Sequence, residues 1–154
     1  MNPGFIWYLS CKAYQKRLLP IAWAMKTLNY FLFRAILPFQ AQIEKDIIME
    51  HYGLGVCVHP NVTLGHGVRL FHHVSLAAET WVGSPHRIVI EDNVTIGAHA
   101  IILGNNHAGI RIGKGAIIGA GAMVVRDVQP GQIVVALPSR PIRNGTELPQ
   151  PVAE

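Results

Sequence analysis

Aliphatic residues return at every sixth position through most of this chain, and that spacing leaves few folds open. Val58, Leu64, Leu70 and Leu76 are spaced by sixes; so are Ile90, Ile96 and Ile102, and then Ile112, Ile118 and Val124. Four positions after most of these stands a second small or β-branched residue: Val62, Val68, Val74, Thr80, Val94, Ala100, Ala116, Ala122 and Val128. An amphipathic helix needs apolar residues at three and four, and a half-buried strand needs them at two. A period of six fits neither. It fits a hexapeptide β-helix, an all-β fold in which short parallel strands stack so that each coil covers the next.

Size and composition agree with one such domain. The chain has 154 residues, half of them hydrophobic and 14% charged, which excludes a disordered segment. A net charge of +4, spread without a dense basic patch, excludes nucleic acid as the expected partner. Cys11 and Cys57 show no framework spacing, so two reduced thiols in a cytoplasmic protein are the simplest account. Asn61-Val62-Thr63, Asn93-Val94-Thr95 and Asn144-Gly145-Thr146 match the glycosylation sequon. The first two fall inside the repeat, so the matches read as coincidence.

Residues 1–40 have a different character and read as an N-terminal helical segment. Residues 1–38 are aromatic and aliphatic, carry Lys12, Lys16, Arg17, Lys26 and Arg34, and hold no acidic residue. The longest uncharged run after Arg17, Leu18 to Met25, falls far short of the roughly 20 residues a spanning helix needs. Two short helices divided near Pro20 are expected, either covering the open end of the β-helix, packing in an oligomer, or lying against anionic lipid as a peripheral contact. Residues 144–154, with two prolines and no period, read as a loose tail.

A solenoid commonly places its function where its period breaks, because the regular coils are occupied with packing. Three breaks stand out. Glu50-His51-Tyr52-Gly53-Leu54-Gly55 interrupts the first, the stretch from Ala77 to Val89 the second, and Gly104-Asn105-Asn106-His107-Ala108-Gly109 the third. Each carries a histidine, and all eight histidines of the chain lie in the repeat region.

These segments carry a resemblance. Glu50 to Val56, His59-Pro60-Asn61-Val62-Thr63-Leu64-Gly65, Val68 to Leu76, Ile90 to Ala98 and Ile118-Gly119-Ala120-Gly121-Ala122 follow one another as in the serine O-acetyltransferase family of left-handed β-helix acyltransferases. The segment Ala136 to Ile142 resembles the family's closing Gly-Val-Pro-Ala-Arg, with Ala136, Leu137 and Ser139 in place of its glycine, valine and alanine. The resemblance implies a left-handed coil over residues 41–143, a homotrimer, acetyl-CoA as donor and no metal. It places the catalytic general base on His51, a residue type suited to removing a proton from an attacking alcohol. Glu50 matches an acidic position that meets the acceptor. His86-Arg87 stands where the family has Arg-His, so His86 becomes a candidate for the site. Ala78, Ala98 and Ala120 match positions where small residues let the donor's pantetheine arm approach the backbone. Arg126, with Arg140 and Arg143, is a candidate for the cofactor's phosphates. One departure is plain: the family pairs its histidine with an aspartate one coil earlier, and the register puts Ile36 there. His72 and His73 occupy positions where relatives carry other residues and are candidates to line the acceptor cleft.

The expected activity is therefore acetyl-CoA-dependent O-acetylation of a hydroxyl on a small molecule, a sugar or polysaccharide, or serine. Two other classes stay open. A γ-carbonic-anhydrase-like zinc enzyme would draw ligands from His72, His86 and His107. A catalytically silent trimeric scaffold would keep the coil and bind a partner.

Overall fold

The computed structural model describes residues 2–105 and 107–137. Arg140, Arg143, the tail at 144–154 and most of the closing segment lie outside the described residues. Every pairing between strands of the described residues is parallel, and the strands form the three faces of a left-handed β-helix. Face 1 stacks Gln42–Ile43, Val62–Leu64, Ile88–Ile90 and Ile110–Ile112. Face 2 stacks Ile48–Met49, Arg69–Leu70, Thr95–Ile96, Ile117–Ile118 and Ile133–Val134. Face 3 stacks Cys57–Val58, Ser75–Ala78, Ile101–Gly104 and Met123–Val124. The chain visits the faces in that order, so each coil has three edges.

The six-residue period has a direct cause. One hexad builds one side of the triangle, and its aliphatic residue points inward, as alternation along a strand requires. Leu64, Leu70, Leu76, Ile90, Ile96, Ile102, Ile112 and Ile118 are all buried, stacked in three ladders. The residues two positions before them, such as Val62, Val68, Val94 and Ala116, are buried beneath the corners. Thr80 is the exception: it is half-buried at the start of the long loop, and Ile88 fills the coil instead. Coils also approach closely along their edges. A Cβ added to Gly97 would lie 2.6 Å from the backbone nitrogen of Ala120, so only glycine fits there.

Two helices cover the start of the coil. α1 (Pro3–Gln15) is capped by Asn2, whose Oδ1 accepts from the Gly4 backbone nitrogen at 2.9 Å. It closes the open end of the prism. Trp7 is fully buried with its indole donating to the Pro38 carbonyl at 2.9 Å, and Cys11 joins the same core. Burial pushes the Cys11 thiol up to about 12. α2 (Leu19–Phe33) packs on α1, where Ser10 donates to the Ala22 carbonyl at 2.8 Å. The division falls at Lys16–Leu18 rather than at Pro20, which sits in the first turn of α2, where proline costs no hydrogen bond. Only Ala22 and Asn29 of α2 are buried, while Trp23 and Phe31 are 64% and 65% exposed. Among the described residues, no helix is long and apolar enough to cross a membrane.

Candidate active site

The edge joining face 2 to face 3 gathers four imidazoles. His51 enters on the bulge at Glu50–Gly53, where the chain must spend extra residues before resuming the coil at Cys57. The bulge turns left-handed: His51 has φ 51°, Tyr52 57°, Gly53 66° and Gly55 68°. Two non-glycine residues in succession in this region are costly, and such strain marks a segment held in place by its surroundings. Gly55 is required twice over, by its φ and because an added Cβ would strike the His73 ring. His51 and Tyr52 are exposed as a result.

One coil further, His72 and His73 occupy the same edge, and His99 follows in the next. His72 meets His51 edge-on at 4.9 Å between ring centroids, and His99 at 5.3 Å. His73 and His99 stack at 4.8 Å. The Nδ1 of His72 is buried and has no hydrogen-bond partner among the described residues. Local burial holds the His72 imidazole below its ordinary pKa, and the neighbouring His51, His99 and His73 push it the same way. His72 therefore favours the neutral form.

Glu50 does not turn toward His51. Its Oε1 accepts from Arg69 Nη1 at 2.8 Å, on the neighbouring strand of face 2. Ile36, where the family's aspartate would stand, is bridged to Cys57 as the first rung of face 3 and offers no carboxylate. Ala98 precedes His99 on this edge and Ala120 stands there one coil further on, where Gly121 donates its backbone N–H to the Ala98 carbonyl at 2.8 Å. This leaves a line of small side chains running away from the imidazoles.

The remaining candidates lie on another edge, between face 3 and face 1. His86 sits on the long loop there, and its backbone N–H donates to Ser84 Oγ at 3.1 Å. His107, Arg126 and the end of the strand bearing Ala78 share that edge. The loop is pinned from below. Asn61, 1% exposed, donates to the Trp81 carbonyl at 2.7 Å and accepts from Gly83 N–H at 2.8 Å. Arg87 donates to Thr63 Oγ1 at 2.9 Å and to the Val62 carbonyl at 2.8 Å, so it braces the coil rather than facing solvent. Within one copy His86 cannot join His51, because the width of face 3 lies between their edges. His72 likewise stands apart from His86 and His107, and the described residues contain no group of three or more His, Cys, Asp or Glu side chains able to hold a metal.

The third edge, between faces 1 and 2, carries much of the charge. His66 lies 3.3 Å from Asp46 and 3.8 Å from Glu44, and Lys114 lies 3.6 Å from Asp92. By contrast the outward side chains of the described face 3 strands are Cys57, Ser75, Ala77, Ile101, Leu103 and Met123, none of them charged.

These features are shared with known proteins. Residues 87–126 match a family model described as the hexapeptide repeat of succinyl-transferase. A 2,3,4,5-tetrahydropyridine-2,6-dicarboxylate N-acetyltransferase of Staphylococcus aureus is 40% identical over 86 residues, 56% of this chain and 34% of its own length. Soybean serine acetyltransferase, solved with serine, superposes with a TM-score of 0.75 at 34% identity, covering 88% of this chain and 54% of the solved one. Serine acetyltransferase of Neisseria gonorrhoeae, also in complex with serine, gives 0.74 at 30% identity with the same coverage. The chain thus spans about a third of the curated relatives it matches and about half of these solved chains. By repeat, coil and edge loops, it is similar to the hexapeptide-repeat acetyltransferases, the serine acetyltransferases among them.

Proposed function

We propose that this protein transfers an acetyl group from acetyl-CoA to a hydroxyl, with His51 as general base. The observation that carries the reading is the left-handed bulge, which holds an exposed imidazole at the head of an edge continued by Ala98 and Ala120. Small side chains there leave peptide groups open to a pantetheine arm. The acceptor is a sugar or polysaccharide hydroxyl, serine, or another small alcohol.

In the reaction the acceptor oxygen attacks the thioester carbonyl as His51 takes its proton. The C–S bond breaks when the tetrahedral intermediate collapses, and the protonated imidazole returns the proton to the departing sulfur. The products are an acetyl ester and free coenzyme A. With Ile36 in place of a carboxylate, His51 leans on its bulge and on His72 for orientation. Glu50, held by Arg69, shapes the bulge and offers its second oxygen to an acceptor. Arg126 and Ala78 serve the donor from the opposite edge.

Those opposite-edge residues require a second copy. Among the described residues the strands of face 3 turn no charged side chain outward, and the face is flanked by both functional edges. A three-fold ring closes by head-to-tail contacts, so packing through this face brings the histidine edge of one copy against the loop edge of the next. His86 then enters the site from the neighbour. The homotrimer belongs to the proposal, as does a cytoplasmic location with peripheral membrane contact through residues 1–38. Support for that contact is the exposed apolar side of α2 together with the basic residues Lys12, Lys16, Arg17, Lys26 and Arg34 of the N-terminal segment.

Incubation with acetyl-CoA and a panel of serine, nucleotide sugars and lipid-linked sugars, followed by thiol detection and product mass, tests the chemistry. Release of coenzyme A with an alkali-labile acetyl ester supports the proposal. An acetyl amide as the only product would move the acceptor to an amine, and no thiol release with any acceptor would end the enzymatic reading.

A further inference from the structure

We propose that the acceptor is an amphiphile taken from an anionic lipid surface, with its hydrocarbon chain lying in a cleft beside His51. The assignment rests on the acetyl-transfer reading for its chemistry, although binding can be measured without turnover. Where α2 ends, its last residues and the bulge enclose a cleft of about 480 Å³. Leu32, Phe33, Tyr52 and Leu54 form its walls, and His51 and Arg34 supply its polar groups. That volume falls within the roughly 300–1,000 Å³ of small-molecule sites. The walls are ordered: the Phe33 and Tyr52 rings lie near parallel, at 14° and 6.2 Å. Arg34 is held at the helix end by its left-handed φ of 55°, with its guanidinium 6.0 Å from the Tyr30 ring.

Such walls suit one kind of ligand. Free serine, with one hydroxymethyl side chain, has almost no apolar surface to bury against Leu32, Phe33 and Leu54, and its charges would be desolvated there. A hydrocarbon chain gains by leaving water in the same place. The hydroxyl it carries reaches His51, and an anionic group beside it meets Arg34.

The source of that chain is set by what adjoins the cleft. The apolar row continues outward along α2 through Leu28, Phe31 and Trp23, all exposed. Lys12, Lys16, Arg17, Lys26 and Arg34 lie on this N-terminal unit, and none has a carboxylate within ion-pair distance among the described residues. A second copy laid on this patch would bring like charges together, whereas an anionic bilayer complements both its apolar and its basic groups. A molecule seated in that bilayer can slide its chain along α2 into the cleft without crossing water.

Calorimetric titration of the full chain with n-octyl β-D-glucoside and methyl β-D-glucoside, below the micelle threshold, tests the inference. The octyl compound should bind at least about tenfold more tightly. Leu54→Ser should abolish that preference, and Trp23→Ser, outside the cleft, should retain it. Leu32→Ser, on the exposed face of α2, reads the same cleft should Leu54→Ser not fold. Equal binding of the two glucosides, or a preference indifferent to both cleft variants, overturns the proposal. So does dissociation of the assembly by the cleft variants in sedimentation, which would mean that a neighbouring copy fills the cleft. Coenzyme A titrated into the same samples separates the two readings. A wild-type chain that binds the octyl glucoside but no coenzyme A contradicts acetyl transfer and leaves the cleft standing.

Discussion

His72 is the residue whose surroundings have the clearest measurable consequence. Its folded-state pKa lies below the ordinary value of 6.5, through local burial first and then the neighbouring imidazoles. The unfolded chain therefore binds the proton more readily, and stability is lost as pH falls below about 6.5. Thermal unfolding between about pH 7.5 and about pH 5.5 should show a smaller acid-side drop for His72→Gln than for the wild type. Identical pH dependence would mean that His72 titrates as though free in solution. At this scale the sequence was partly legible. The period break marked the bulge that carries His51, but two other breaks carry a histidine as well, and it was the family resemblance that singled this one out. His99 was missed although a signal existed: like His73, it stands two residues before its face 3 strand, so the two must stack. The roles of Arg87 and Asn61 depend on which carbonyls the folded loop presents, and no local pattern encodes that.

Among the elements, the coils were readable and the helices only in part. Each hexad sees the same surroundings as the one above it, so one inward ladder repeats and survives in the sequence as a period. Ile96 sits at mid-ladder, fully buried between Leu70 and Ile118. Ile96→Ala should destabilise by about 2–5 kcal/mol in denaturant titration, through lost burial and the cavity left behind. A change under about 1 kcal/mol would mean the coil collapses around the gap more readily than close packing allows. For residues 1–40 the composition foretold two helices but not their division of labour. α1 buries Trp7 and Cys11 on the end of the prism, while α2 keeps most of its apolar surface outside. That difference follows from which helix packs into the cluster that holds Leu37 and Ala41, a tertiary matter. The exposed face makes its own prediction. The chain should cosediment with phosphatidylglycerol-containing vesicles and much less with phosphatidylcholine vesicles, with weakening in high salt and after Phe31→Ser. Equal recovery on neutral vesicles would remove the basic residues from the account.

The whole molecule has three unlike edges around one prism. Charge collects on one, imidazoles on the second and long loops on the third, and among the described residues the strands of the face between the latter two turn no charged side chain outward. Met123 is 65% exposed on that face, so a single copy loses little if it changes. In analytical ultracentrifugation Met123→Arg should convert a trimer to monomers while the far-ultraviolet spectrum stays the same. A monomeric wild type, or a trimer indifferent to the substitution, would place the contact elsewhere. Trimeric packing could not be read from the period, which reports only what each coil buries within its own chain. The account as a whole turns on His51 acting upon a bound thioester. The most direct measurement is coenzyme A release from acetyl-CoA, with an accepted hydroxyl present, by wild type and His51→Ala, alongside coenzyme A affinity. The rate should fall by about 10²- to 10⁴-fold with affinity unchanged. Equal rates in the two proteins would contradict it.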